Sequence, residues 1–287
     1  MKKLLYVLSA AALLSGCVKN NPDPSWIEIN EWTLEANGSN EEGQLTQKIT
    51  NAWVYVNDNP IGAFELPVKV PVLTSGSTNI KVYPAVLNNG ISATKKIYPF
   101  MDFYEVDTQL NQNETFTITP TTQYKSGLSW TYMEDFEGVA DTMEDDPNSL
   151  SQGTTTAVSG IMETFNDGQV YHVTIDSQDS TWVAYTTWDA LLPGGQEVYL
   201  ELDYYNTNRA TVGVLGIGPN GVDENPYIQL NTQANSEAEW KHIYIDLREI
   251  VSNSPDAEYF NISFEANIDD DKAPGQINID NLKLVHF

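Results

Sequence analysis

One thiol, an excess of carboxylates and a set of aromatic rings hold most of the chemistry this sequence could perform. Cys17 is the only cysteine in 287 residues. It follows a charged start, Lys2 and Lys3, and an apolar run from Leu4 to Leu14. Leu14-Ser15-Gly16-Cys17 reads as a lipobox, whose chemistry is acylation of the thiol and cleavage before it. The apolar run is short of the roughly 20 residues that cross a bilayer, so acyl chains on Cys17 would supply the membrane affinity. With no second cysteine, no disulfide forms within the chain.

The carboxylates come next. Asp and Glu number 40 against 14 Lys and Arg, a net charge of −26, which repels nucleic acid and anionic lipid surfaces. The excess is uneven: between Lys125 and Arg209 there are 15 carboxylates and no Lys or Arg. Most of these belong on solvated strand faces. A divalent cation is a common way to relieve such crowding locally. Asp269-Asp270-Asp271 is one cluster, but the Pro274-Gly275 that follows marks an exposed loop.

Aromatic side chains are the usual groups for stacking on sugar rings. In Thr181-Trp182-Val183-Ala184-Tyr185-Thr186-Thr187-Trp188, alternation places Trp182 and Trp188 on one face and Tyr185 on the other. One face of a sandwich strand is core, so some of the three are expected to be buried, and the exposed remainder are candidate glycan-stacking residues. Tyr204 and Tyr205 pose the same alternative.

Frames for catalysis are missing. His172, His242 and His286 are scattered and form no zinc-binding pattern. There is no Gly-x-Ser-x-Gly elbow and no phosphate-cradling glycine loop. Gly213, Gly216 and Gly218 precede no helix and read as strand and turn. A glycosidase needs only two carboxylates at a set separation, which 40 acidic residues neither exclude nor identify.

The elements that must position these residues are strands throughout. Short alternating runs rich in Val, Ile, Thr, Tyr and Trp are broken by Gly, Pro, Asn and Asp at sandwich spacing; one helical turn is expected near Asp246 to Val251. The length suits two domains. The reading is all-β: residues 1-16 a lipoprotein signal peptide, 17-25 a lipidated polar tether, 26-122 an immunoglobulin-like sandwich and 129-287 a jelly-roll sandwich. The boundary falls in the strand-free stretch from Gln123 to Ser129.

Three resemblances refine this. The signal and tether resemble those of Bacteroidetes outer-membrane lipoproteins, although only Asp23 lies in the window where surface-exported members carry acidic residues. That leaves the surface and periplasmic faces both open. Val54 to Tyr83, with its Asn57-Asp58-Asn59 turn, Gly62, Leu66-Pro67 and Gly76, resembles the immunoglobulin-like modules of the PEGA and carboxypeptidase-regulatory type, which implies a non-catalytic spacer. The opening Phe136-Glu137 and closing Ile279-Asp280-Asn281 of the second domain resemble the terminal strands of galactose-binding-like and carbohydrate-binding-module jelly rolls. That likeness implies a structural Ca2+ on Glu137 and Asp280. Together these give a non-catalytic lipoprotein presenting a jelly-roll binding or scaffold domain to a protein partner or a glycan. The alternative is a carbohydrate-active enzyme or a glycan-capture component of a polysaccharide-utilisation system.

Overall fold

The computed structural model describes residues 23–139, 142–157, 168–234, 238–270 and 274–287. Cys17, on which the lipid-anchor reading rests, lies outside the described residues. Among the described residues no helix is long and apolar enough to cross a membrane.

Ten strands build the first sandwich: β1 Ser25–Ile29, β2 Thr33–Leu34, β3 Asn51–Val56, β4 Asn59–Glu65, β5 Val68–Val72, β6 Gly76–Leu87, β7 Lys95–Ile97, β8 Tyr104–Leu110, β9 Thr115–Ile118 and β10 Thr121–Thr122. One sheet runs β4-β3-β6-β7, with β8 also on β6. The facing sheet is β5-β1-β9, with β1 and β9 parallel. Alternation decides which residues enter the core: Ile27 and Ile29 of β1 and Ile80 and Val82 of β6 are fully buried while their neighbours are not. The expected hairpin after Val56 forms with Asn57 and Asp58 both at positive φ, a left-handed conformation that Asn and Asp tolerate.

The second sandwich comprises β11 Ser129–Glu134, β12 Met143–Asp145, β13 Thr154–Ala157, β14 Gln169–Ile175, β15 Thr181–Thr186, β16 Val198–Asn206, β17 Ala210–Gly218, β18 Gly221–Leu230, β19 Lys241–Asp246, β20 Tyr259–Asn267 and β21 Gly275–His286. Among the described residues one helix, α1 Arg248–Asn253, follows β19. Six strands form one sheet, β13-β14-β21-β16-β19 with β11 also on β21; five form the other, β12-β15-β20-β17-β18. All pairings in both sheets are antiparallel. First and last strands lie side by side, and the chain is a two-sandwich, all-β protein whose second unit is a jelly roll. Its core is lined by Val198, Leu200 and Leu202 from one sheet and Ile262, Phe264 and Trp182 from the other.

The stretch between the sandwiches is packed rather than loose. Tyr124 is fully buried, Leu128 nearly so, and both join the first core. Three residues of the second sandwich, Tyr199, Tyr244 and Val285, enter that same core. The outer face of the six-stranded sheet is therefore covered by the first sandwich, whereas no other sheet among the described residues covers the outer face of the five-stranded one.

Candidate functional site

The open face follows from strand periodicity. On β15, β17 and β20 the core takes Trp182, Ala184, Val212, Val214, Ile262 and Phe264. Tyr185, Gly213, Ser263 and their alternating neighbours consequently point the other way. Register aligns them: Glu144 of β12, Tyr185 of β15, Ser263 of β20, Gly213 of β17 and Pro226 of β18 stand opposite one another across five strands. The next row carries Asn261, Leu215 and Glu224, and the row before it Val183, Glu265, Thr211 and Gln229. The central position of the face has no side chain, the place of one is already taken by its neighbours, and Ser263 and Asn261 beside it are only 4% and 6% exposed. A Cβ on Gly213 would lie 2.6 Å from Ser263 Oγ and 2.9 Å from the Asn225 carbonyl oxygen.

Tyr185 stands beside these small residues, opposite Ser263. Its hydroxyl donates to Asp146, and burial, then that bond, then the charges of Asp146, Glu224 and Glu144 push it up to about 12. The phenol keeps its proton and stays a neutral, polar-edged ring. Asp146 is held below the usual carboxylate range by the Tyr185 hydroxyl and by Asn148.

Trp188 stands at the rim. Strand β15 ends at Thr186, so Trp188 leaves the alternation expected of it and is 54% exposed. Its segment runs on along β20, pairing again where Ala190 meets Phe260. Asn261 ties the segment down, donating from Nδ2 to the carbonyls of Thr186 and, at 3.5 Å, Trp188. Asn261 Oδ1 is buried and has no hydrogen-bond partner among the described residues.

Of the aromatic candidates, Trp182 is corrected to a core residue. It is 0% exposed, stacks on Phe264 with centroids 6.1 Å apart, and donates from Nε1 to Asp145 Oδ1 at 2.7 Å. A ring enclosed on both sides cannot receive a sugar. Tyr205 is likewise buried, against Trp240, and Tyr204 is half-buried. Asn261 and Ser263 carry no mark of a binding role in the sequence, and Gly213 reads there only as strand and turn. The alternation in Phe260-Asn261-Ile262-Ser263-Phe264 is the available signal, because it puts two small polar residues on whichever face is not core.

Glu137 and Asp280 occupy the opposite sheet's region. Asp280 is 2% exposed and its Oδ1 accepts from the Asn281 N–H at 2.7 Å. Its carboxyl is pushed up to about 8, mainly by burial, against that hydrogen bond and with the charges of Asp203, Asp135 and Glu137 adding to it. Glu137 is exposed and accepts from the Gln169 N–H. Phe136 and Asn281, beside the two carboxylates, both have positive φ, so the backbone turns out of the ladder at each. Among the described residues no three His, Cys, Asp or Glu side chains form a metal-binding group; the crowding at Asp280 is electrostatic, and a cation there would need main-chain carbonyls as further ligands. Asp269, of the acidic loop cluster, is paired with Arg209 instead; Asp271 lies outside the described residues.

The remaining charged cluster joins the two sandwiches. Glu201 and the side chain of His242 are fully buried. Tyr124 donates to Glu201 Oε2 at 2.7 Å, and Tyr98 donates to Oε1. His242 Nδ1 lies 2.6 Å from Asp203 Oδ1, while its Nε2, 3.4 Å from Glu201 Oε2, is at ion-pair distance without hydrogen-bond alignment. Burial pushes the imidazole down, but the two carboxylates outweigh it and raise it to about 9. Burial pushes Glu201 up, and His242, Lys283 and Tyr98 together bring it below its ordinary range. These ionised groups are sealed between the sandwiches, away from any surface a polymer could reach.

No protein-family model matches the chain, and no curated protein matches it. Among solved structures, a non-crystalline cellulose specific carbohydrate-binding module, CBM28, is 13% identical over 53% of this chain and 91% of its own, with a TM-score of 0.40. The CBM22-2 xylan-binding domain from Paenibacillus barcinonensis Xyn10C is 13% identical over 55% of this chain and 99% of its own, with a TM-score of 0.38. The enzymatically active domain of Bacteriophage CBA120 tailspike protein 4 is 14% identical over 53% of this chain, with a TM-score of 0.37; the match spans 20% of that protein's chain. With TM-scores this low, the likeness carries no part of the functional argument.

Proposed function

We propose that this protein is a non-catalytic glycan-binding lipoprotein. It is anchored in the outer membrane through Cys17 and presents the open face of the five-stranded jelly-roll sheet to a polysaccharide. The observation that carries this reading is the make-up of this face, which we read as a shallow trough: the half-buried ring of Tyr185 on one side, the exposed ring of Trp188 at the rim, and between them the small, largely buried Gly213, Ser263 and Asn261. Aromatic planes supply the apolar stacking a pyranose ring needs, and small polar residues leave room for its hydroxyls. The first sandwich, clamped to the opposite sheet, would act as a spacer that lifts this face off the membrane.

A structural Ca2+ belongs to the same reading. Glu137 and Asp280 would hold it together with main-chain carbonyls, and it would supply the positive charge that Asp280 lacks.

Affinity electrophoresis through soluble β-linked polysaccharides tests the binding role. Retardation by at least one is expected, with Tyr185→Ala and Trp188→Ala each weakening it by about 1–3 kcal/mol, the scale of a lost aromatic contact. Retardation by none, or retardation of both variants equal to that of the unaltered protein, would overturn it. The anchor has its own test: Cys17→Ser should move the protein from the membrane fraction to the soluble one, and a variant still sedimenting after a high-salt wash would contradict it.

A further inference from the structure

A second cavity lies away from the open face, where the edge strands of the two jelly-roll sheets, β18 and β19, meet a turn of the first sandwich. Its volume is about 520 Å3, within the range of small-molecule sites. Tyr204 and Tyr227, both half-buried, give it aromatic walls, and Asn89, Gln229 and Asn231 give it neutral polar groups. Its charge departs from the rest of the molecule. Lys48 and Lys241 both line it, and neither makes an ion pair among the described residues, in a chain with 40 acidic residues. One carboxylate, Glu239, lines it as well, so the lysines outnumber the acids.

The cavity is also held in shape. Asn89 Nδ2 donates to the Tyr227 hydroxyl at 3.0 Å, and the Asn89 N–H donates to the Tyr244 carbonyl at 2.9 Å. Asn89 Oδ1 accepts from the Asp246 N–H at 2.8 Å. One side chain thus ties the turn of the first sandwich to both edge strands. Gly90, with φ +69°, lets that turn sit down on Ile243, where a Cβ would come within 3.1 Å of Cδ1. The walls come from both sandwiches, so the site exists only when they are docked.

We propose that this cavity binds an anionic sugar unit, a uronate, separately from the open face. The two tyrosines would flank the ring, Gln229 and Asn231, which hydrogen-bond each other at 2.8 Å, would meet hydroxyls through their remaining amide atoms, and the ammonium groups of the exposed Lys48 and the half-buried Lys241 would take the carboxylate.

The test is calorimetric titration of the mature protein with trigalacturonate and with the uncharged galactotriose. Trigalacturonate should bind, more weakly as salt rises, and galactotriose should bind at least about tenfold more weakly, the scale of one charge-assisted contact. Lys241→Gln and Lys48→Gln together should abolish the preference for the charged ligand, while Tyr185→Ala should leave it intact. That last arm separates this site from the open face: loss on Tyr185→Ala would place the uronate there and overturn the proposal. No binding of trigalacturonate, or binding unchanged in the double lysine variant, would overturn it too.

Discussion

Asp280 shows how burial and charge together set the behaviour of one residue. Its folded carboxyl titrates near 8, against 3.8 for an aspartate side chain free in water. The folded state therefore binds the proton more tightly than the unfolded state across that window. Stability contributed by the protonated group is complete below about pH 4 and is lost as pH rises through 8. A cation shared with Glu137 would replace the proton and remove that loss. In chelator, the melting temperature should fall between pH 5 and pH 6.5, below the window of His242; with calcium in excess the fall should shrink, and Asp280→Asn should remove it with or without metal. Melting curves that coincide with and without calcium would leave Asp280 a protonated carboxyl and no more. His242 adds a decline of the same sign at higher pH: its stabilising charge is complete below 6.5 and is lost as pH rises through about 9.

Strands show which parts of the site are legible in the sequence. The period-two patterns of Val198 to Tyr205, Trp240 to Leu247 and Phe260 to Phe264 locate β16, β19 and β20 closely, because alternate residues are the aliphatic and aromatic ones that line the jelly-roll core, even though both faces of these strands are largely buried. Tyr104–Leu110 carries the same mark, Glu105, Asp107 and Gln109 facing solvent between inward Tyr104, Val106, Thr108 and Leu110, although it is not among those three segments. Counting in twos places Trp182 and Trp188 on one face; the count fails where β15 stops at Thr186 and the chain breaks register before Trp188. The open trough is not legible, because which sheet the first sandwich covers depends on pairings between residues far apart in sequence. Gly213 belongs at this scale: Ala there must displace either the Ser263 hydroxyl or the β18 backbone. Gly213→Ala should cost about 1–3 kcal/mol, the usual range for overpacking, and should raise the floor of the trough and weaken polysaccharide retardation. Chemical denaturation checks the first effect; unchanged stability would mean that β17 and β18 separate more easily than their register implies.

Across the whole molecule, the two sandwiches are built to unfold together. Tyr98, Tyr124 and Lys96 of one side meet Glu201, Glu197 and Asp246 of the other, with Lys96 Nζ at 2.8 and 2.9 Å from its two carboxylates. Tyr199, Tyr244 and Val285 complete a core that neither sandwich owns alone. A single calorimetric transition is expected. Glu201→Ala, which strands His242 beside one carboxylate and leaves two tyrosine hydroxyls without an acceptor, should destabilise by about 3–5 kcal/mol, as breaking buried pairs does, and should split the transition in two. A split transition in the unaltered protein would contradict the clamped arrangement.

That arrangement leaves one sheet face free, and the central claim is that a glycan lies on it. The most direct measurement follows the indole N–H resonances of the mature protein during titration with a polysaccharide fragment that retards it. Trp188, at the open rim, should shift in proportion to binding, while Trp182, enclosed under β15, should stay where it is. A glycan that binds without moving Trp188, or no retarding glycan at all, would contradict the claim.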